Sequence, residues 1–446
     1  MSKKFSSALA LLAVFCVFSG SFLPPVAAQR GAAAQSVRTA AQNAAIISTS
    51  DAVLKETSEI RELSVLRGVK SGAQSRAQIE RMIVKNLNTD TTPAEMRATE
   101  VLLKAFGLAP PEFEYRSFLI KLLTEQVAGY YDPRAQQFYL ADWIELDGQK
   151  PVMAHELTHA LQDQHFNLKR FEKWPKGDSD AELAAHALIE GDATLAMMQY
   201  LGKHPMIALS FLRTSQESSA EQFKQAPRAL RDSLIFPYQY GLTWATQVHR
   251  RGGWSMVSDA FKKLPLSTEH ILHAEKYFSY ERPVKLTLPN FTRALGPGWK
   301  RIDSDVNGEW GYYLILDEYL DNSTRSKQAA AGWGGDRFAI YEGPQTSVFV
   351  AQISEWDNPT DAREFYDAYL ERSLNRFPQT GKRGGGSSLN GDRHDEWNAP
   401  SGRGLIELRG ARVVILEGVP AKANIERLLK MIWQQGSQLQ SKPLKS

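Results

Sequence analysis

The stretch that decides the fold of this chain is Val152-Met153-Ala154-His155-Glu156-Leu157-Thr158-His159-Ala160-Leu161-Gln162. Its apolar and small residues favour a helix, no proline or glycine interrupts it, and Pro151 suits a first turn. Because His155 and His159 are four residues apart, both imidazoles lie on one face of that helix, with Glu156 beside them. The pattern H-E-x-x-H is typical of a metal site that carries its own general base.

The metal site needs a third protein ligand. Zinc in a hydrolytic site takes three protein ligands and leaves a fourth position for water. His155 and His159 supply two of them, and the candidates for the third are Glu190, His165 and His186.

Glu190 lies in a second predicted helix, which runs from a capping box at Ser179-Asp180-Ala181-Glu182 to about Leu201. Gly191 follows it directly. An unpaired carboxylate inside an apolar helix is costly, and glycine weakens a helix, so both residues need an explanation. A bound metal would supply the missing partner of the carboxylate.

The two other candidates have competing interpretations. His165 follows His155 by ten residues, the spacing of H-E-x-x-H-x-x-G-x-x-H, but Gln162 stands where that pattern needs a helix-breaking glycine. If the helix continues, His165 points elsewhere. His186 precedes Glu190 by four residues, which favours a hydrogen-bonded neighbour of the carboxylate over a ligand.

These motifs resemble the gluzincin branch of the zincin metallopeptidases. The resemblance implies zinc as cofactor, with His155, His159 and Glu190 as ligands and Glu156 as general base. One departure concerns Thr194, which stands where many gluzincins have an Asp that orients a histidine. The chain is also similar to a group of largely uncharacterised exported bacterial proteins, through His155 to Phe166, Glu190-Gly191-Asp192-Ala193, Tyr130-Tyr131-Asp132-Pro133 and Ser267-Thr268-Glu269.

Several further residues could orient the ligands or assist the reaction. Asp163 and Asp192 are candidate acceptors for the second ring N–H of the ligand histidines. Hydrolysis of an amide also needs a donor to the oxygen that gains charge. The candidates for this donor are Tyr238, Tyr240, His270 and His273.

The N-terminus has the three parts of a secretory signal: Lys3 and Lys4, an apolar run from Ala8 to Phe22, and the small residues Val26-Ala27-Ala28. We expect cleavage after residue 28 and export to the periplasm or the medium. An uncleaved anchor is the alternative, but the apolar run is short for a membrane span. The only cysteine, Cys16, lies in the signal, so the exported protein has no disulfide bonds.

The charge of the chain indicates no nucleic-acid or membrane partner. The formal net charge is +3, and removal of Lys3 and Lys4 with the signal leaves +1. Without a dense Lys/Arg cluster, such a balance gives no electrostatic reason to bind nucleic acid or an anionic membrane. The expected partner is a polypeptide substrate.

The predicted fold class is α+β. After the signal (1–28) we expect a flexible leader (29–50), a mainly helical, zincin-like metallopeptidase domain (51–295) and a smaller α+β domain (300–440). A β-hairpin within Val127–Leu140 precedes the H-E-x-x-H helix, and two strand-strand-helix units form the last domain. Between those units, Thr380–Ser388 is rich in glycine and is predicted to be flexible.

The sequence therefore predicts an exported, zinc-dependent peptidase. Two alternatives remain: a zinc hydrolase of another amide or ester, and a zincin-like binding module without catalysis. Glu156 weighs against the binding module, because a closed structural zinc site has no use for a base.

Overall fold

The computed structural model describes residues 40–143, 146–174, 177–217, 225–378, 382–387 and 392–439. The predicted signal, residues 1–28, lies outside them. Among the described residues, no helix is both long enough and apolar enough to cross a membrane.

The fold is α+β and mainly helical, as the sequence predicts. Its N-terminal elements are α1 (Ala40–Arg61), β1 (Lys70–Gln74), α2 (Arg76–Asp90), α3 (Pro93–Phe106), α4 (Tyr115–Gln126), β2 (Gly129–Asp132) and β3 (Gln137–Ala141). The central helices are α5 (Leu146–Phe166), a 3-10 turn (Leu168–Lys173), α6 (Ser179–Lys203), α7 (Pro205–Glu217), α8 (Arg228–Ala260), α9 (Thr268–Leu272), α10 (Ala274–Ser279) and α11 (Thr292–Leu295).

The remaining elements form the C-terminal sheet region. They are β4 (Lys300–Asp305), α12 (Gly308–Leu320), α13 (Ser323–Ala330), β5 (Trp333–Glu342), a 3-10 turn (Pro344–Thr346), β6 (Val348–Trp356), α14 (Pro359–Arg376), β7 (Lys382–Ser387), β8 (Arg393–Ala399), β9 (Gly402–Arg409), β10 (Arg412–Val419) and α15 (Ile425–Leu439).

Helix α1 begins inside the segment predicted to be a flexible leader. Residues 40–50 are helical, and Ile46 and Ser50 are buried. Alanines favour a helix, and Ile46, Val53 and Ile60 give α1 an apolar face that packs on α5 and α6. The composition that suggested a leader therefore forms a packed helix from Ala40 onward.

The predicted hairpin before the H-E-x-x-H helix is present. Strands β2 and β3 are antiparallel, with Tyr131 opposite Phe138, and β1 adds to β3 in parallel, so the strand order is β1-β3-β2. Strand β2 is thus an edge of this small sheet. At the far end of β3, the side chain of Gln149 in α5 donates a hydrogen bond to the Ala141 carbonyl oxygen (3.1 Å).

Two helix starts differ from the prediction. Helix α5 begins at Leu146, one turn before Pro151, because Gln149 holds that turn against β3. The N-cap of α6 is Asp178, not Ser179, since the Asp178 carboxylate accepts a hydrogen bond from the backbone N–H of Ala181.

Helices α6 and α8 pack backbone to backbone at two glycines. A Cβ atom at Gly191 would lie 2.2 Å from the carbonyl oxygen of Gly241, and one at Gly241 would lie 2.3 Å from that of Ala187. Gly191 therefore permits the close approach of the two helices, which explains a glycine in the middle of a buried helix.

The C-terminal sheet region contains the two predicted strand-strand-helix units, β5-β6-α14 and β9-β10-α15. Its seven strands are antiparallel, in the order β4-β5-β6-β10-β9-β8-β7. The prediction of a flexible Thr380–Ser388 is wrong for residues 382–387, which form β7 and pair with β8. Cross-strand hydrogen bonds fix the backbone there in spite of its glycines.

The sheet region holds the N-terminal end of α6. The Asp305 carboxylate accepts a hydrogen bond from the Ser179 backbone N–H (2.9 Å). The Asp180 carboxylate in turn accepts from the Thr268 backbone N–H (3.1 Å) and hydroxyl (2.6 Å). The helix that carries Glu190 is thus fixed at its start by residues of two other elements, β4 and α9.

The close packing of α6 and α8 gives a stability prediction. We expect Gly191→Ala to lower the free energy of unfolding by at least about 2 kcal/mol, because its Cβ overlaps backbone atoms that cannot rotate away. The matched control is Gly202→Ala in the same helix, where a Cβ meets no atom within 4 Å. That control should be neutral or stabilising by up to about 1 kcal/mol. Urea denaturation measures both, and equal midpoints would contradict the packing account.

Candidate metal centre

Two imidazoles of α5 and a carboxylate of α6 converge on one point. His155 Nε2 lies 3.0 Å from Glu190 Oε2, and His159 Nε2 lies 3.3 Å from the same oxygen. The two Nε2 atoms are 3.1 Å apart. All three side chains are buried. The four-residue spacing on α5 places both rings on the side that faces Glu190.

The donor set fits a zinc ion in both chemistry and spacing. Ligands at zinc distances in a tetrahedron are separated from one another by about 3.3–3.6 Å. The three observed separations between the donor atoms, 3.0 to 3.3 Å, are close to the lower end of that range. His155 Nδ1 is buried and has no hydrogen-bond partner among the described residues, so the polar contacts of this ring are all made at Nε2, the atom that faces Glu190.

The ionisation of the three groups follows from their contacts. Burial raises the pKa of Glu190, but His159 and His155 outweigh it and lower that pKa to about 2. Burial lowers the pKa of His159, but Glu190 raises it more strongly, to about 9. Protons and a metal ion would therefore compete for His159 Nε2.

His159 is oriented by a chain of buried polar side chains. Its Nδ1 lies 2.9 Å from Gln162 Oε1, and Gln162 Nε2 donates to Asp192 Oδ2 (2.8 Å) and to the Ile189 carbonyl oxygen (3.0 Å). Arg61 Nε donates to Asp192 Oδ1 (2.5 Å), and both side chains are fully buried. Asp192 therefore acts on His159 through Gln162 rather than directly.

Asp163, the other predicted acceptor, is bound elsewhere. Its carboxylate accepts hydrogen bonds from the Tyr131 hydroxyl (3.0 Å), the Arg67 guanidinium (2.9 Å) and the Leu168 backbone N–H (3.1 Å). Asp163 therefore joins the hairpin to α5, and among the described residues it forms no hydrogen bond with His155 or His159.

The predicted base, Glu156, is buried beside the donor set. The backbone N–H of Tyr131 in β2 donates a hydrogen bond to Glu156 Oε2 (2.9 Å), so the hairpin positions this carboxylate. Burial raises the pKa of Glu156 to about 8, while His159 acts in the opposite direction. A divalent cation in the donor set would lower it further toward the ordinary range.

The donor set opens into a cavity on one side. His159, His186 and Glu190 line the cavity together with residues 130–134 of the hairpin, and Leu168, Phe171 and Ile189 form an apolar wall. A cation held by the three donors would therefore face a space in which water and a substrate can be placed, as in catalytic zinc sites.

The alternative third ligands lie apart from the three donors. Helix α5 continues through His165, whose Nε2 lies 2.8 Å from the Ser64 carbonyl oxygen. His186 lines the cavity but is not part of the group whose ligand atoms lie within 4.8 Å of one another. Among the described residues, no hydrogen bond joins His186 to Glu190, in contrast to the expected pairing.

The four predicted oxyanion donors do not line the cavity. His270 Nε2 lies 2.7 Å from the Glu281 carbonyl oxygen, and His273 Nε2 lies 2.8 Å from Glu309 Oε1. Tyr240 packs between Phe236 and Trp310. Tyr238 packs against the donor set, with its ring centroid 6.0 Å from that of His155.

Sequence comparison provides information about the C-terminal part only. Residues 294–429 match a family described as "Domain of unknown function (DUF8575)". This match spans the sheet region from α11 to α15 and contains none of the three donor residues. No curated protein and no solved structure matches the chain.

The identity of the third ligand can be tested by metal analysis. We expect the wild-type protein to bind about one zinc ion per chain and Glu190→Ala to lose zinc affinity by more than about 100-fold. His165→Ala is the matched control, because His165 bonds to Ser64 and should leave zinc content unchanged. Elemental mass spectrometry after dialysis measures the zinc content per chain of both variants. Full zinc content in Glu190→Ala would rule out this donor set.

The orienting role of Gln162 can be tested separately. Gln162→Met keeps the side-chain length but removes the acceptor of His159 Nδ1, so we expect zinc affinity to fall about 10–100-fold. Gln164→Met is the control, since Gln164 lies on the same helix and bonds to the backbone of Leu66 and Arg67. Competition with a chromogenic chelator measures the affinities. Equal affinities would show that Gln162 does not support the site.

Proposed function

We propose that this protein is a zinc-dependent, gluzincin-like peptidase that hydrolyses amide bonds of polypeptides. The observation that carries the proposal is the convergence of His155, His159 and Glu190, the last two of which line an open cavity, with Glu156 buried beside them. If residues 1–28 direct export, its substrates are polypeptides outside the cytoplasm.

The residues of the site divide into ligands and a base. His155, His159 and Glu190 would hold the zinc ion. A zinc ion supplies Lewis acidity toward a carbonyl oxygen and toward water. Two neutral imidazoles and one carboxylate leave a positive charge on such a centre, which favours negative charge developing on the substrate.

Glu156 would move the proton. Its carboxylate takes a proton from the attacking water and then gives it to the amide nitrogen as the C–N bond breaks. The hydrogen bond from the Tyr131 N–H fixes the carboxylate through Oε2 alone. This contact leaves Oε1 available to accept the proton.

The hairpin supports a polypeptide as substrate. Strand β2 pairs with β3 on one side, while on the other side its Tyr131 N–H points to Glu156. The turn that follows, Asp132 to Arg134, lines the cavity. A sheet edge beside the base suits an extended chain that forms backbone hydrogen bonds, which a small amide or ester cannot do.

The function is tested by substitution of the base. We expect Glu156→Gln to bind zinc like the wild type and to lose turnover of a general protein substrate by about 10²–10⁴-fold or more, because glutamine cannot accept the proton. His165→Ala should retain both zinc and turnover. Digestion of a peptide library, with and without a chelator, measures activity and identifies cleavable sequences.

The outcomes separate the proposal from its alternatives. Chelator-sensitive cleavage of peptides by the wild type, lost in Glu156→Gln, supports the peptidase. Cleavage of simple esters or acyl amides without cleavage of any peptide would favour the other hydrolase. Zinc binding without turnover by either protein would favour a binding module.

A further inference from the structure

His186 lies one helical turn before the glutamate of the donor set. It precedes Glu190 by four positions on α6, so both side chains project from one face of the helix. Both side chains line the cavity beside His159. His186 is 7% exposed, so its ring is almost entirely enclosed by protein and faces the place where a substrate would lie.

The polar side chains that line the cavity with His186 have partners within the protein. The Tyr130 hydroxyl donates to Gln74 (3.0 Å), and the Tyr131 hydroxyl donates to Asp163 (3.0 Å). These two groups are therefore already engaged by the fold.

The charged rim of the cavity is paired as well. Arg134 Nη2 forms an ion pair with Asp90 (2.8 Å), and Asp132 Oδ1 accepts hydrogen bonds from the backbone N–H groups of Arg134 and Ala135. In contrast to these cavity-lining groups, the His186 side chain forms no hydrogen bond with any of the described residues. The ring therefore keeps its hydrogen-bonding capacity for a molecule that occupies the cavity.

A ligand role does not fit His186. Its ring nitrogens are outside the group of atoms that lie within 4.8 Å of one another, whereas those of His155 and His159 are inside it. Burial lowers the pKa of His186 to about 4, so at neutral pH the ring is uncharged and carries one N–H. A neutral imidazole next to the donor set is a hydrogen-bond donor that adds no positive charge to repel a cation.

We propose that His186 is a catalytic residue that donates a hydrogen bond to the carbonyl oxygen of the scissile amide. This inference rests on the proposed peptidase function. The water oxygen adds to the carbonyl carbon, and its proton passes to Glu156 and then to the departing nitrogen. The carbonyl oxygen gains negative charge while the new C–O bond forms and loses it when the C–N bond breaks. His186 stabilises that charge and transfers no proton itself.

The test compares His186→Leu with His186→Gln, using the full chain and a synthetic peptide that the wild type cleaves. We expect His186→Leu to lower kcat about 10²–10³-fold with little change in KM, since the hydrogen bond forms chiefly in the transition state. His186→Gln restores an N–H donor and should recover part of the loss. His204→Leu, at the C-terminal end of α6, is the control and should retain full activity.

A second measurement does not depend on turnover. In a phosphinic analogue of the same peptide, an anionic phosphinate replaces the scissile amide. Calorimetry should show that the analogue binds His186→Leu more weakly than the wild type by a factor similar to the loss in kcat. Zinc content and melting temperature should remain those of the wild type.

The results distinguish this inference from the proposed function. A wild-type kcat in His186→Leu, or unchanged affinity for the phosphinic analogue, would overturn the role of His186 and leave the peptidase intact. Loss of zinc in His186→Leu would make His186 a ligand instead. A wild-type protein that cleaves no peptide would overturn both proposals.

Discussion

The structure of the site depends on one buried carboxylate. Glu190 lies on the enclosed face of α6, where a negative charge without a partner would cost several kcal/mol. His155 and His159 provide that partner only if α5 and α6 stay in register. Gln162, which donates to the Ile189 carbonyl oxygen, fixes the register one residue away from Glu190. The packing of the two helices and the chemistry of the site are thus set by the same contacts.

The parts of the site predicted from sequence are those within one or two helical turns. The relation of His155, Glu156 and His159 follows from helical periodicity alone. Glu190 could be proposed because a carboxylate in an apolar helix needs a partner. Gln162 was open to the same reasoning, since it lies three residues from His159 on the same face.

The features of the site and of the fold that the sequence did not predict depend on contacts between distant segments of the chain. Arg61 precedes its partner Asp192 by 131 residues, and no local pattern links the two. The Tyr131 backbone N–H that holds Glu156 has no side-chain signature at all. For the fold, residues 40–50 and 382–387 were predicted to be flexible from composition, although tertiary packing and strand pairing order them. Amino-acid composition reflects only the local preferences of a segment, and it carries no information on the tertiary contacts that the segment forms.

The C-terminal sheet region contributes to the site indirectly. The match to a family of unknown function covers residues 294–429, which contain none of the three donor residues. Nevertheless, Asp305 of this region binds the first N–H of α6, and the Asp180 side chain of α6 binds Thr268. Since α6 carries both Glu190 and His186, the position of these side chains depends on how the sheet region holds the start of the helix.

The polar chain behind His159 distinguishes this site from the gluzincin pattern that its motifs resemble. In many gluzincins an Asp stands at the position of Thr194 and orients a histidine. Here the direct partner of His159 is the neutral amide of Gln162, and the charge of Asp192 is paired with Arg61 instead. An amide oxygen is a weaker acceptor than a carboxylate, so it fixes the ring while donating less negative charge to it. A divalent cation held by two neutral imidazoles and one carboxylate would therefore retain more of its positive charge than one whose histidine ligand is hydrogen-bonded to an Asp. Its Lewis acidity would be correspondingly higher.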